Sequence, residues 1–409
     1  MDKKIIKVPS IRFDKFTEDW QQCKLDSIFG KIRNAFVGTA TPYYVENGHF
    51  YLESNNVKNG QINRNTEVFI NDEFHEKQKD KWLHTGDLVM VQSGHVGHTA
   101  VIPEELDGIA AHALIMFSDY KEKSSPYFLN YQFQTRKSKK QLGFITTGNT
   151  IKHILSSEMK KFEVKLPSYY EQTKIGDFFE LLEEIITLQQ QFLNDHKQLK
   201  KAMLQKMFPQ KGEIVPRVRV AGFTDNWKQD KLGAISETYS GGTPSATNKS
   251  YYNGIIPFIR SGEVNSANTE LFLTEEGLQN SSAKLVDIGD ILYALYGATS
   301  GKVGISKIKG AINQAILAIK PIEGYDSYFI MQWLKKQENI IVKTYLQGGQ
   351  GNLSGSIVKD LKMPIPNTYE EQIQIGNLFK QLDKTIDLHQ KKLETYQELK
   401  KAMLQKMFV

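Results

Sequence analysis

A ten-residue segment, LKKAMLQKMF, occurs twice in this chain of 409 residues, at positions 199–208 and 399–408. When the comparison is extended backwards at the same offset, residues 169–208 align with 369–408, and 21 of these 40 positions are identical. A long ungapped identity inside an otherwise divergent chain indicates an internal repeat, which decides the architecture before any single motif is considered. The chain is therefore predicted to be one structural unit present twice.

Each copy of this segment has the pattern of a long amphipathic helix, because its conserved apolar residues recur at spacings of three and four. Each copy also opens with a helix-start signal, Ser168-x-x-Glu171 in the first and Thr368-x-x-Glu371 in the second. In such a capping box the hydroxyl and the carboxylate bond reciprocally to free backbone N–H groups. Both helices are therefore expected to begin at these residues.

The two spacer helices are predicted within residues 168–212 and 367–409, and each would be roughly 60 Å long. A single long helix would leave its apolar stripe in water, so we expect the two copies to pair with each other as an antiparallel coiled coil. The alternative is that they are two unrelated amphipathic helices.

The segments that precede the helices repeat more weakly and are predicted to be two globular domains, residues 1–167 and 213–366. Phe16-Thr17-Glu18-Asp19-Trp20 in the first matches Phe223-Thr224-Asp225-Asn226-Trp227 in the second. Short β-branched and aromatic runs between Gly, Asn, Ser and Pro clusters predict strands, and longer helical stretches lie between them. The predicted fold class is α+β. The expected strands are 67–70, 87–92, 255–259 and 290–296, and the expected helices are 127–141 and 325–343.

The composition is that of an ordinary protein without membrane spans, since no apolar run approaches 18 residues. A single cysteine, Cys23, excludes an internal disulfide bond and favours a reducing cytoplasm. The formal net charge of +6 mildly favours a polyanionic partner.

Catalytic motifs are missing from the sequence. The segment from Gly297 to Val303 is one residue shorter than a phosphate-binding loop and lacks its Ser or Thr. The pair His95-x-x-His98 has no further ligands beside it that would complete a metal site. No Asn/Asp-Pro-Pro-aromatic tetrapeptide of the amino-methyltransferase type occurs either. The sequence therefore predicts a binding protein without a catalytic site or a metal of its own.

A set of short motifs runs through the second half of the chain: Phe223-Thr224-x-x-Trp227, Ser240-Gly241-Gly242-Thr243-Pro244-Ser245, Ile256-Pro257-Phe258-Ile259-Arg260-Ser261-Gly262, Gly289-Asp290-Ile291-Leu292, Tyr296-Gly297-Ala298-Thr299-x-Gly301-Lys302-Val303-Gly304, Ile312-Asn313-Gln314-Ala315, Pro364-x-Pro366 and Glu371-Gln372-x-x-Ile375-Gly376. Together these motifs resemble the specificity (S) subunit of type I restriction-modification enzymes, the HsdS family. The first half departs from the pattern. Residues 37–42 replace the Gly-Gly-Thr-Pro turn, and residues 94–98 replace the Gly-Ala-Thr loop.

The resemblance implies two target-recognition domains, each reading one half of a bipartite, asymmetric site in double-stranded DNA, and helices that set the spacer. It also implies two methyltransferase (M) subunits docked on the helices, which methylate adenine with S-adenosylmethionine, and restriction/translocase (R) subunits that use ATP and Mg²⁺. The chain itself would be a non-catalytic subunit without a cofactor.

For DNA contacts, Lys and Arg suit phosphates, and Arg, Lys, Asn, Gln, Ser and Thr suit base edges. The alternative for each loop is that its polar residues only turn the chain. The candidates in the first domain are Arg33, Asn55, Asn56, Lys58, Gln92, His95, His98, Thr147 and Asn149, and those in the second are Thr243, Arg260, Lys302, Gln347, Gln350 and Asn352.

Three further sets of residues have two interpretations each. Asn313 and Gln314 are expected to satisfy buried backbone rather than bind DNA. The pairs Lys200-Lys201 and Lys400-Lys401 are expected on a solvated face of the coiled coil rather than on DNA. The last set forms either core or a partner-binding patch: Met203, Met207, Phe208, Met403, Met407 and Phe408.

Two other functions are open at this stage. A coiled-coil scaffold without a DNA function would have the same helices but would not retain duplex DNA. A self-sufficient DNA enzyme would need activity from the isolated chain with S-adenosylmethionine or Mg²⁺, and no motif supplies its site.

Overall fold

The fold mixes helices with mostly antiparallel sheets, which confirms the α+β prediction. A computed structural model describes residues 8–210, 212–346 and 352–409. The chain divides into two compact units, of which the first comprises Met1–Gln190 with Lys391–Val409 and the second Gln191–Gln390. Each unit thus contains one globular domain, the beginning of one long helix and the end of the other.

The two longest helices are Tyr169–Lys206 and Tyr369–Lys406, here called the first and second long helix. Each has 38 residues and is therefore about 57 Å long. Pro209 follows the first, where proline cannot continue a helix. Within the described ranges, no helix has both the length and the hydropathy that crossing a membrane requires.

In the first unit, a four-stranded antiparallel sheet and a four-stranded mixed sheet form most of the domain. The helices are Leu25–Ile28, Asp72–Lys77, Pro126–Gln134, Arg136–Ile145 and Ser156–Lys161. The strands, in spatial order, are Phe29–Asn34, Leu114–Tyr120, Leu88–Val91 and Thr99–Val101 in the first sheet, Ala110–Ala111, His49–Leu52, Phe69–Ile70 and Tyr44–Val45 in the second, and the pairs Gln21–Lys24 with Glu163–Leu166 and Val57–Lys58 with Gln61–Ile62.

The second unit repeats this arrangement, with one antiparallel and one mixed four-stranded sheet. Its helices are Glu275–Gln279, Ser327–Tyr345 and Gly355–Lys359. The strands, in spatial order, are Ser236–Ser240, Ile316–Pro321, Ile291–Ala294 and Val303–Ile305, then Leu271–Leu273, Tyr252–Ile259, Gly310–Ile312 and Lys284–Val286, and the pair Lys228–Lys231 with Lys362–Ile365.

The predicted elements are present, with shifted ends. The strand expected at 67–70 is only Phe69–Ile70. The helix expected at 127–141 is two helices, because Thr135 has an extended backbone and its hydroxyl accepts a hydrogen bond from the N–H of Ser138 at 3.2 Å. An N-cap that interrupts an apolar pattern is not visible in its periodicity.

Each antiparallel sheet has central strands that are buried on both faces. Along Leu88–Val91 and Ile291–Ala294, successive side chains enter two different apolar clusters. Side chains alternate between the two faces of a strand, so a continuous apolar run indicates a sheet that is covered on both sides. The strands are therefore uninterrupted apolar runs rather than alternating ones.

The end of each long helix completes the core of a globular domain. In the first unit, the ring of Phe408 lies 6.2 Å from Trp20, 5.2 Å from Phe128 and 5.8 Å from Phe179, between ring centroids. Phe208 has the same environment in the second unit, at 6.3 Å from Trp227, 5.1 Å from Phe329 and 6.1 Å from Phe379. The last two residues of the repeated segment are thus core residues, which explains their identity.

Within each unit the two long helices run antiparallel, as predicted. Lys400, near the end of the second helix, forms an ion pair with Glu183, near the start of the first, and Lys200 pairs with Asp383 in the second unit. The expectation of a solvated face is wrong for these two lysines, whose side chains are only 13% and 14% exposed. A carboxylate on the facing helix compensates each buried ammonium.

The start of each long helix is fixed to its domain by the repeated Glu-Gln pair. Arg12 donates two hydrogen bonds to the carboxylate of Glu171, both at 2.7 Å. Arg219 binds Glu371 in the same way at 2.7 and 2.9 Å. Half of the predicted capping box is therefore wrong: the hydroxyls of Ser168 and Thr368 do cap the helices, but arginine binds the carboxylates.

The glutamine of the same pair binds the start of a domain helix. Its side-chain oxygen accepts the backbone N–H of Ser125 at 3.1 Å in the first unit and of Asp326 at 3.2 Å in the second. Four residues later, Gly376 passes so close to Asp326 that a Cβ atom would collide with its carboxylate. The Glu-Gln-x-x-Ile-Gly motif is therefore explained by the contacts that attach the start of each long helix to its globular domain.

We predict that Phe208→Ala and Phe408→Ala each lower the free energy of unfolding by about 3–5 kcal/mol, because each leaves a cavity in an aromatic core. Hydrogen exchange should rise in Ser327–Tyr345 for the first variant and in Pro126–Gln134 for the second. The same exchange pattern for both would contradict the assignment of each phenylalanine to one core.

Candidate nucleic-acid interface

A basic cleft of about 850 Å³ lies in the first unit, between the globular domain and the two long helices. Its cations are Arg136, Lys139, Lys400 and Lys401, and its single carboxylate, Glu183, is paired with Lys400. Uncompensated positive charge in a concave surface attracts polyanions. The remaining lining residues are Asn59, Gln134, Ile186, Gln397, Leu404 and Gln405.

Two turns beside this cleft carry three of the predicted DNA-contact residues, Lys58 in one and His95 and His98 in the other. Lys58 ends a short strand, and the next residue, Asn59, donates its backbone N–H to Nδ1 of His98 at 3.3 Å. Burial lowers the pKa of His98, and the charges of Lys139, His95 and Lys58 lower it further. Among the described residues, no group of three or more His, Cys, Asp or Glu side chains could hold a metal ion.

Asn56, which was predicted to contact DNA, has a structural role instead. Its side chain is 2% exposed, accepts the N–H of Glu53 at 3.0 Å, and donates to the carbonyls of Asn63 and Thr66 at 3.0 and 2.8 Å. Both N–H donors and the oxygen of its amide are bound within the turn, so that prediction is corrected. Asn55 beside it is exposed.

The other predicted residues of the first domain lie in two places. Arg33 is half-buried on strand Phe29–Asn34 and is bound to Asp80, through the backbone carbonyl and a carboxylate 3.8 Å away. Gln92 lies in a loop, and its own backbone carbonyl accepts the N–H of Ile154 at 3.0 Å. Thr147 and Asn149 are exposed in the neighbouring loop.

A second cleft, of about 420 Å³, lies in the second unit and brings Thr243 and Arg260 together. The hydroxyl of Thr243 donates to the side-chain oxygen of Gln314 at 2.5 Å. Arg260 forms ion pairs with Glu263 at 3.0 Å and Glu270 at 2.6 Å, and these carboxylates raise its pKa. The charge of Arg260 is therefore compensated within the protein.

Lys302 and Asn352 are at another place in the second unit. Lys302 is 54% exposed and forms an ion pair with Glu338 at 2.9 Å, on helix Ser327–Tyr345. Asn352 is exposed and pairs through its backbone with Tyr296. The predicted residues Gln347 and Gln350 lie outside the described residues.

The expectation for Asn313 and Gln314 holds for only one of them. Asn313 is half-buried, and its side chain accepts the backbone N–H of Ala315 at 3.2 Å. Gln314 is exposed and binds the side chain of Thr243, because it follows strand Gly310–Ile312 in a turn instead of lying within it.

The predicted partner-binding patch is incorrect for four of its residues. Met207, Phe208, Met407 and Phe408 are exposed by 2%, 0%, 3% and 8%, so they fill cores and present no surface to a partner. Met203 and Met403 are half-buried and pack against the same two cores.

The sequence interpretation missed Asn59, Arg136 and Lys139, which line the basic cleft. A signal for the two cations was present, because Arg136, Lys137, Lys139 and Lys140 form a basic run. This run falls within the single helix expected at 127–141. The break at Thr135 starts a new helix there, Arg136–Ile145.

Comparison with known proteins extends over both repeats. Residues 17–196 and 224–398 match the type I restriction modification DNA specificity domain. Two similar proteins of Methanocaldococcus jannaschii, the MjaIX specificity subunit and the putative MjaX specificity subunit of type I restriction enzymes, are each 27% identical, over 45% and 48% of this chain. These matches span 44% and 49% of the two relatives, about half of their length.

The fold is similar to the crystal structure of a type I restriction-modification system S subunit from M. genitalium. The TM-score is 0.69, with 14% sequence identity over 98% of this chain and 99% of the other. At this identity the structural likeness supports the architecture only. The family is shown by the matches of residues 17–196 and 224–398 to the specificity domain. The chain therefore belongs to the family of type I restriction modification DNA specificity domains, and carries this domain twice.

Proposed function

We propose that this chain is the non-catalytic specificity subunit of a type I restriction-modification complex. The observation that carries the proposal is one framework, repeated in both units, that matches the DNA specificity domain in each copy. A common framework suits a common set of partners, and loops that differ between the repeats suit two different DNA sequences.

Each domain reads one half of a bipartite, asymmetric site in double-stranded DNA. Support comes from positions that correspond between the repeats: His98 directly precedes strand Thr99–Val101, and Lys302 directly precedes Val303–Ile305. The first domain thus has a histidine where the second has a lysine that is paired with Glu338. The two domains therefore offer different donors to DNA at this position.

The long helices set the distance between the half-sites. Each is about 57 Å long, which compares with about 34 Å for one turn of B-DNA. Two linked binding modules gain affinity through effective concentration only where their separation matches the two sites. Helix length thus determines the spacer length that is recognised.

Two methyltransferase subunits dock on the long helices through exposed leucines. Leu188 and Leu399 are 56% and 38% exposed in the first unit, and Leu388 and Leu199 are 51% and 46% exposed in the second. Leu188 follows Phe179 by nine residues and Leu399 precedes Phe408 by nine, so the Phe179–Phe408 contact puts them at the same level. The same apolar pair occurs in both units, as two identical partners require.

The chemistry belongs to the partners. The methyltransferase subunits bind S-adenosylmethionine and methylate adenine, and the nuclease subunits use ATP and Mg²⁺. The whole complex acts on cytoplasmic DNA.

We predict that co-expression with the methyltransferase subunit yields adenine methylation at one bipartite motif. Duplicating residues 191–197 and 391–397 together should lengthen its spacer by about three base pairs, since seven helical residues add about 10 Å. Single-molecule methylation sequencing determines the motif of the wild-type chain and that of the lengthened variant. The wild-type motif is the control for the two half-sites. Absence of any bipartite motif that depends on this chain contradicts the function, and an altered half-site contradicts the division between helices and domains.

Removing one leucine pair should remove one methyltransferase subunit. We expect Leu188→Asp with Leu399→Asp to change the complex from two methyltransferase subunits per chain to one, because a carboxylate cannot be buried in an apolar contact without a large cost. The matched variant Leu199→Asp with Leu388→Asp should have the same effect. Native mass spectrometry measures the stoichiometry, and two bound subunits in either variant would exclude these leucines.

Replacing Arg136 and Lys139 by alanine should weaken DNA binding uniformly across sequences. The plot of log K against log salt concentration should become less steep, its negative slope shrinking in magnitude by about 2, because each lost phosphate contact accounts for about 0.9. Lys161→Ala is the matched control, because this exposed lysine is paired with Glu158 at 3.1 Å. Fluorescence anisotropy at several salt concentrations measures the slope, and an unchanged slope would place DNA elsewhere.

A further inference from the structure

Two turns of the first domain are locked together by a buried asparagine. Asn130 is 0% exposed, donates to the carbonyl of Gly60 at 2.8 Å, and accepts the hydroxyl of Thr99 at 2.7 Å. Asn59 and His98 are the residues immediately before Gly60 and Thr99. A buried amide that donates to one turn and accepts from the other fixes the relative position of the groups it binds.

The hydrogen bond from Asn59 determines the protonation of the His98 ring. The backbone N–H donates to Nδ1 at 3.3 Å, and a ring nitrogen that accepts a hydrogen bond carries no proton. The proton of the neutral ring is then on Nε2. Burial lowers the pKa of His98, and Lys139, His95 and Lys58 lower it further, which favours the uncharged ring at neutral pH. His98 therefore offers one N–H donor and no charge.

A neutral donor among cations suits a base edge better than a phosphate. Lys58, Lys139 and Arg136 already provide charge for phosphates around this ring and in the adjoining cleft. The major-groove edges of guanine, adenine and thymine present acceptors, which a single N–H can recognise. The ring is thus equipped to read sequence where its neighbours hold the backbone.

The corresponding position of the second domain has different chemistry. Lys302 takes the place of His98 before the edge strand and forms an ion pair with Glu338 at 2.9 Å. A charged, paired lysine and a neutral, oriented histidine are not interchangeable in DNA recognition. The substitution at this position therefore belongs to what distinguishes the two domains.

We propose that His98 is a base-reading residue of the first half-site, which donates from Nε2 to an acceptor on a base edge. This inference rests on the proposed function. It adds which side chain of the first domain discriminates between bases and in which chemical form.

Methylation sequencing of the full chain with its methyltransferase partner tests the proposal. His98→Leu should reduce base discrimination at one position of the first half-site about tenfold, because it removes the donor. The second half-site should not change. His98→Gln retains an N–H donor and should retain the preference at that position. An unchanged first half-site in the leucine variant would overturn the inference.

Salt dependence separates a base contact from a phosphate contact. On a duplex carrying the wild-type motif, His98→Leu should weaken binding about tenfold without changing the slope of log K against log salt concentration. Lys139→Ala should instead reduce the magnitude of this slope by about 0.9. An equal fall of the slope for His98→Leu would make His98 a phosphate contact and overturn the proposal. A wild-type chain without a bipartite motif would refute the proposed function itself, whereas a motif insensitive to His98 refutes only this inference.

Discussion

The insertion of one phenylalanine at the end of each long helix into a domain core is the contact on which the two units depend. Phe208 and Phe408 each pack against a tryptophan and two further phenylalanines, and are 0% and 8% exposed. The last turns of each helix also carry the lysine, Lys200 or Lys400, that pairs with a carboxylate of the facing helix. A segment that packs into a domain core and also pairs with the facing helix tolerates few substitutions. This accounts for the ten identical residues in the two copies.

The beginning of each long helix is constrained by polar contacts as well as by apolar ones. Glu171 and Glu371 are each 1% exposed and bound by an arginine, and the indole N–H of Trp227 also donates to Glu371 at 3.3 Å. Removing one partner of such a buried pair costs about 3–5 kcal/mol, because it leaves the other charge unpaired. These bonds have directions, so they fix the angle at which the helix leaves its domain as well as its position.

The repeat predicted the helices, their antiparallel pairing and the α+β domains, because hydrophobic periodicity reports directly on burial. It did not predict the partners of buried polar groups. Glu171 resembled a capping residue until Arg12, 159 positions earlier in the chain, was found to bind it. Asn56 and His98 were equally plausible as loop residues that bind DNA, and only their hydrogen bonds distinguish a buried turn residue from an oriented donor. Such long-range contacts have no local pattern.

A framework fixed at both ends of each helix leaves the loops of the domains free to differ. In the second domain Arg260 is held by Glu263 and Glu270, so a phosphate must compete with two carboxylates for it. Under the proposed function, neutral groups such as Thr243 and Gln314 are expected to have the larger share in recognition there. The cations of the basic cleft are expected to contribute more in the first domain. The two half-sites are therefore expected to differ in the balance of base and phosphate contacts as well as in sequence. Neither difference requires a change in the cores or in the helices.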